Sequence, residues 1–257
     1  MRKGAAQTVY EVAPVKRENL SAIIYNQLRA ALMEGRFWPG YRIKIRELAA
    51  ELGVSETPVR EALMQLVVER GFTMDAGRSI AVTELSCADY VELRDIRLEL
   101  EGMAAERATL LISAAEIKLM KEAHAQLVEA EATGDWREAV RANYLFHHTL
   151  YRAANLPHLM GIIESIWLRN GPLLNYLYPH AKPTYAGRHQ HLNVLEALRK
   201  RAPDRVREAI RDDMVEGGHL LIKLLQSIES GEMPAPPSPA DLLRDVATPE
   251  SKRKRRR

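Results

Sequence analysis

The sequence carries a single cysteine, Cys87, among 257 residues. One thiol excludes an internal disulfide framework and fits a reducing compartment. No run of 18 or more apolar residues occurs, so no membrane-spanning helix is expected. The opening MRKGAAQTVYEV has no apolar stretch of the kind a signal peptide needs, which makes a cytoplasmic protein the expectation. Internal repeats are lacking too. So is a dominant charge: the formal net charge is +3, but Lys252 to Arg257 carry six positive charges, which leaves −3 for the rest. Global basicity therefore cannot argue for nucleic acid, and any such argument has to come from local placement. What is present is length for two ordinary domains and a 46% hydrophobic content to fill their cores.

Residues 1–17 show no clear period and are expected to be a flexible arm. From Leu20 the apolar residues Leu20, Ile23, Ile24, Leu28, Ala31 and Leu32 share one helical face. Pro39-Gly40 marks a turn, and a second short helix runs through Ile45, Leu48, Ala49 and Leu52 to Gly53. Ser55 is a good N-cap for a third helix, with Pro58 in its first turn and Val59, Ala62, Leu63 and Leu66 as its buried stripe. Phe72 to Met74 and Ile80 to Val82 then flank Asp75-Ala76-Gly77-Arg78, which reads as a two-stranded wing.

Beyond Thr83 the pattern is helical. Six helices are predicted, over 88–111, 114–132, 136–154, 157–178, 184–200 and 204–229. Ser113 with Glu116, and Asp135 with Glu138, have capping-box spacing. Residues 231–257 hold Pro234, Pro236, Pro237 and Pro239 and then the basic run, and are expected to be a disordered tail. The fold class is thus mainly α: a winged helix-turn-helix over 18–84 and an all-helical bundle of about six helices over 85–230.

In a helix-turn-helix the N-terminal part of the third helix enters the major groove. With one face buried, Glu56, Thr57, Arg60, Glu61 and Met64 are left for the groove. Arg60 suits a guanine or a phosphate, Thr57 suits either, and Arg46 is placed to meet the backbone. Gly77 is expected to allow a tight wing tip near the minor groove, with Arg78 beside it.

The segment PGYRIKIRELAAELGVSETPVREALMQL resembles the DNA-binding domain of the GntR family of bacterial regulators. Arg46-Glu47-Leu48-Ala49, Leu52-Gly53-Val54-Ser55 and Thr57-Pro58-Val59-Arg60-Glu61-Ala62-Leu63 carry the likeness. The resemblance implies DNA contacts from Arg46, Thr57, Arg60 and Gly77, and Ser55, Glu56 and Arg78 beside them are further candidates. Glu56 stands where the family usually has a base-reading arginine. A carboxylate there repels phosphate or accepts from cytosine N4, which implies an altered operator.

In the second half, Asn143 and His147 are four residues apart and share a helical face. His191 lies on a helix striped by Leu192, Leu195 and Leu198, and Asp213 sits between Ile210 and Met214. Two imidazoles with oxygen donors suit zinc, nickel or manganese, although histidines in a helical domain also serve as hydrogen-bonded core residues. Residues 88–228 resemble the FCD sensor domain of the FadR subfamily, through Arg94-Asp95-Ile96-Arg97, Asn143-Tyr144-Leu145-Phe146-His147 and His191-Leu192-Asn193-Val194-Leu195. Metal-binding members use one Asp and three His, which fall here on Asn143, His147, His191 and Asp213. The carboxylate is kept, but its place has moved.

That resemblance implies a repressor released by a small organic acid or sugar acid bound near a divalent metal. Arg97, Arg169 and Tyr144 are the candidate effector contacts, with Trp167 and Tyr176 as lining or core. Homodimers on a palindromic operator in double-stranded DNA are expected. Two rival readings remain open at this point: the same regulator with a metal-free pocket, and a metal-dependent helical hydrolase.

Overall fold

The computed structural model describes residues 20–237. The expected arm over 1–17 and the basic run of the tail lie outside the described residues. The N-terminal unit runs α1 (Leu20–Met33), β1 (Arg42–Ile43), α2 (Ile45–Leu52), α3 (Glu56–Val68), β2 (Phe72–Met74) and β3 (Ile80–Val82). The wing is antiparallel as predicted, with Phe72 opposite Val82 and Met74 opposite Ile80. Arg42 and Ile43 add a third strand on the far side of β3. A two-residue strand is too short to show a hydrophobic period, so the sequence reads as a two-stranded wing.

The core of this unit is made by Ile24, Leu28, Leu32, Val59, Leu63 and Leu66 with Phe72, Ile80 and Val82, all buried. The stripe predicted for α3 is the buried one. On α1 the stripe is shifted: Leu20 and Ile23 stay exposed and Met33 is buried. Gly53 ends α2 in the left-handed conformation, φ 66°, and its N–H returns to the Ala49 and Ala50 carbonyls. Glycine adopts that conformation without the Cβ clash other residues meet.

The C-terminal unit contains α4 (Cys87–Leu111), α5 (Ala114–Thr133), α6 (Trp136–Ala153), α7 (Pro157–Leu173), α8 (Gln190–Arg199) and α9 (Pro203–Glu229). Helix α5 packs on α6, and α4 and α8 both pack on α9. Ser113 and Glu116 form the full capping box. Asp135 accepts from Glu138 N–H, but the Glu138 carboxylate is taken by Arg141 at 2.6 Å, so that box is half made.

Two boundaries differ from expectation. The fourth helix of the bundle ends at Leu173 instead of 178, and α8 starts at Gln190 instead of 184. Pro172 has no N–H to give the last turn, and Pro179 and Pro183 bias their predecessors away from helix. A 3-10 turn over Leu174–Tyr176 follows α7, and the chain then crosses the bundle in irregular form to His189. None of the described helices is long and apolar enough to cross a membrane.

The two units dock through α1 and α7. Asn175 Nδ2 donates to the carbonyls of Gly35, Phe37 and Pro172 at 2.8–2.9 Å. Arg29 on α1 pairs with Glu164 on α7 at 2.8 Å, and Glu164 also meets His148 of α6 at 3.1 Å. A methyl group on Gly171 would lie 2.8 Å from the Met33 carbonyl oxygen, so only glycine lets α7 approach the end of α1 this closely.

Candidate functional site

The outer face of α3 presents Glu56, Thr57, Arg60, Glu61 and Met64, each exposed. Arg46 on α2 and Arg78 on the wing are exposed as well. Arg60 and Glu56 are one turn apart and pair at 3.6 Å, so the exposed cation of this face has a carboxylate beside it. Glu61 is bonded to the Ser21 hydroxyl of α1, which gives it an anchoring role within the unit. Ser55 occupies the N-cap, with no side-chain bond back to α3. At the wing tip the left-handed residue is Arg78, φ 60°, and not Gly77. Asp75 explains the difference. Its carbonyl accepts from Arg78 N–H at 2.9 Å and its carboxylate from Ser79 N–H at 2.8 Å, so the turn closes one residue later.

The second site lies in the bundle, where His147 of α6, His191 of α8 and Asp213 of α9 converge, all buried. His147 Nε2 is 3.2 Å from Asp213 Oδ2 and 3.3 Å from His191 Nε2, and His191 Nε2 is 3.8 Å from the same oxygen. Two donors on a tetrahedral zinc at about 2.0–2.1 Å lie roughly 3.3 Å apart. The triad is therefore spaced to share one small cation.

Tyr151 orients His147. Its hydroxyl lies 3.1 Å from His147 Nδ1, which leaves Nε2 as the atom that faces Asp213. Such an outer bond orients a ligating imidazole and raises its basicity. Burial pushes the His191 ring well below the usual histidine range. Burial opposes ionisation of Asp213, but the imidazoles of His191 and His147 outweigh it and hold the carboxyl well below the usual range.

A cavity opens from this cluster, bounded by Asn143, His147, Asp213 and Tyr185 at its polar end. Gly217 and Gly218 of α9 make room for two phenols: a Cβ at Gly217 would be 3.1 Å from the Tyr185 oxygen, and one at Gly218 would be 2.7 Å from the Tyr90 oxygen.

Models of two families match the chain: "Bacterial regulatory proteins, gntR family" over residues 20–82, and "FCD domain" over residues 92–215. The HTH-type transcriptional regulator McbR of Escherichia coli is 32% identical over 203 residues, which span 78% of this chain and 91% of McbR. The chain belongs to the GntR family of transcription regulators.

The HTH-type transcriptional repressor RspR of Escherichia coli is 26% identical over 196 residues, covering 75% of this chain and 85% of its own. The solved structure of Escherichia coli McbR/YncC superposes with a TM-score of 0.73 at 30% identity, covering 80% of this chain and 98% of that one. This GntR regulator thus has the FadR-like order of a winged helix-turn-helix followed by an FCD domain.

Of the sensor residues singled out in the sequence, Asn143, His147, His191 and Asp213 come together with Arg97 and Trp167 nearby. Arg97 is buried and already paired with Glu101, Nε to Oε1 at 2.6 Å, with its guanidinium 4.9 Å above the Trp167 ring. Arg169 lies elsewhere, in a groove between the wing and α4 with Arg70, Asp89 and Glu92. Tyr144 faces α7, with its ring 5.5 Å from Trp167 and 4.8 Å from His148. Tyr176 packs on Trp38 at 6.0 Å. His148 and His219 point away from the cluster, His148 to Glu164 and His219 to the Glu216 carbonyl.

Sequence reasoning missed Tyr151, Glu101 and Tyr185. Tyr151 is four residues after His147, a spacing that was available to read. Tyr185 sits on the irregular stretch before α8, where no helical period could place it.

Proposed function

We propose that this GntR regulator binds a palindromic operator as a homodimer and represses until a small organic acid or sugar acid enters the FCD cavity. The effector carboxylate is taken up through a divalent ion, zinc, nickel or manganese, held by His147, His191 and Asp213 with Asn143 beside them. The observation that carries this reading is the buried triad: two imidazole nitrogens and one carboxylate oxygen within 3.8 Å of one another, at the end of a cavity. When bound, the ion supplies an open coordination position and positive charge for an acid. The chain's own residues do the rest. Tyr151 orients His147, Asp213 balances the charge, and Arg97 and Trp167 close one wall. RspR, a relative of similar architecture, is named a repressor, which supports the direction of control. The relatives are transcription regulators, which supports reading the cavity as a binding site and not a catalytic one.

Coupling to DNA runs through α6 and α7. His147 and His148 are neighbours on α6, and His148 holds Glu164, which holds Arg29 of the DNA-binding unit. Trp167 at the cavity precedes Leu168, which packs against Gly71 between α3 and β2. An effector that favours one placement of these side chains shifts the α1–α7 docking only by its differential affinity. Gel-shift titration on the gene's own upstream DNA, with metal analysis of the purified chain and of His147→Ala and His191→Ala, tests the reading. Loss of metal and of effector response in both variants is expected. Full metal retained in both removes the ligand assignment, and a response kept without metal leaves a plain polar pocket.

A further inference from the structure

We propose that His124, His189 and His191 form a second metal site, which takes a nitrogen-preferring transition ion such as zinc through imidazoles alone. One ring nitrogen from each of the three lies within 4.8 Å of the others. The ring centroids of His124 and His189 are 5.0 Å apart, those of His124 and His191 5.4 Å, and those of His189 and His191 4.3 Å. This cluster shares His191 with the Asp213 triad but adds two imidazoles that the triad lacks, and it does not depend on that triad holding an ion.

The buried polar atoms point to a ligand. His124 Nδ1 and His191 Nδ1 are both buried without a hydrogen-bond partner. His191 has no exposed surface at all. Buried imidazole nitrogens are normally satisfied, and each exception calls for an account such as an ion. Here two exceptions belong to adjacent rings of one cluster. The two nitrogens of an imidazole look in different directions. His191 turns Nε2 toward His147 and so has Nδ1 left for His124 and His189.

His189 is held ready by the helix it starts. It is the residue before α8, and its Nδ1 accepts from His191 N–H at 3.1 Å. In a neutral ring, ligation through either nitrogen gives up that lone pair, so filling the site releases the cap at the start of α8. His124 comes from the middle of α5, beside the core residue Ala123. No carboxylate belongs to this cluster. Three nitrogens favour copper, nickel and zinc over manganese, magnesium or calcium. With both clusters filled, His191 becomes a bridging imidazolate and its one ring proton passes to solvent.

The test is zinc binding to the full chain by equilibrium dialysis with elemental analysis. The doubly substituted chain His147→Ala/Asp213→Ala lacks the first cluster and is expected to keep one zinc per chain. Adding His124→Ala or His189→Ala should abolish that zinc, with the helical circular dichroism signal unchanged. A doubly substituted chain that binds no zinc, or zinc that survives both further substitutions, overturns the proposal. Zinc titration of the unsubstituted chain with 15N-labelled histidine needs no variant. The ring nitrogens of His124 and His189 should move, and movement confined to His147 and His191 overturns the second site.

Discussion

The Nδ1 nitrogen of His147 sits 3.1 Å from the hydroxyl of Tyr151, and both side chains are buried. This contact ties the orientation of a candidate ligand to a second side chain of α6. Tyr151→Phe keeps the ring and removes the contact. Zinc affinity measured by chelator competition is expected to fall about 10–100-fold, the usual effect of losing an outer-shell partner. An unchanged affinity removes Tyr151 from the site.

Gly171→Ala should undo the docking of α1 on α7. The added methyl would meet backbone, the Met33 carbonyl at 2.8 Å, which has no rotamer to escape into. The expected cost is about 1–3 kcal/mol, as for overpacking elsewhere. Denaturant melts report the cost. Hydrogen exchange should show the end of α1 and the end of α7 losing protection while α5 and α9 keep theirs. Uniform loss across the chain contradicts a local effect.

Glu164 joins the two units and titrates far from its ordinary range. The bond to His148 leads, burial opposes, and Arg29 adds to it, so that the carboxyl is held at about 2. A depressed acid contributes stability above its unfolded pKa of ~4.5 and loses it as pH falls toward about 2. That contribution is about 2 kcal/mol after allowing for partial exposure. Thermal unfolding followed from pH 5 to about 3 should therefore slope less in Glu164→Gln than in the parent chain. Parallel slopes remove Glu164 as the source.

Most of the fold is legible in the sequence because helices of this length repeat their period several times. The α3 stripe of Val59, Ala62, Leu63 and Leu66 and the cap at Ser113 are local signals, and the structure has both. The Asn143/His147 spacing is local too. What is illegible depends on the tertiary path. Arg169 has the chemistry of an acid-binding residue, but the turn of α7 carries it to the wing side. Arg97 faces the cavity as expected, yet Glu101, one turn on, takes its fork. Strand β1 is made by pairing with β3 and has no pattern of its own.

In the proposed function Glu56 governs how α3 meets DNA. It lies at the start of α3, 3.6 Å from Arg60, with both side chains about half exposed. Glu56→Gln removes a charge that repels phosphate and releases Arg60. Affinity for non-specific duplex at low salt should rise several-fold, and the dependence of log K on log salt should steepen by up to about one. If instead operator affinity falls while non-specific binding holds, Glu56 is accepting from a base, most simply cytosine N4.

At the wing tip Arg78 has a left-handed backbone and the charge proposed to meet DNA, and the two can be separated. A left-handed arginine costs about 1–2 kcal/mol relative to glycine in the same place, and Arg78 holds φ 60° because the Asp75 turn closes there. Arg78→Gly relieves the strain and removes the charge. Stability in urea should rise by about 1 kcal/mol, while DNA affinity falls and the salt slope shrinks by about one. Arg78→Lys keeps both the strain and the charge, so stability and salt slope should match the parent chain. A stabilised Arg78→Gly that binds DNA as tightly as the parent would show that the wing tip does not touch phosphate. A destabilised one would show that the backbone here is not strained.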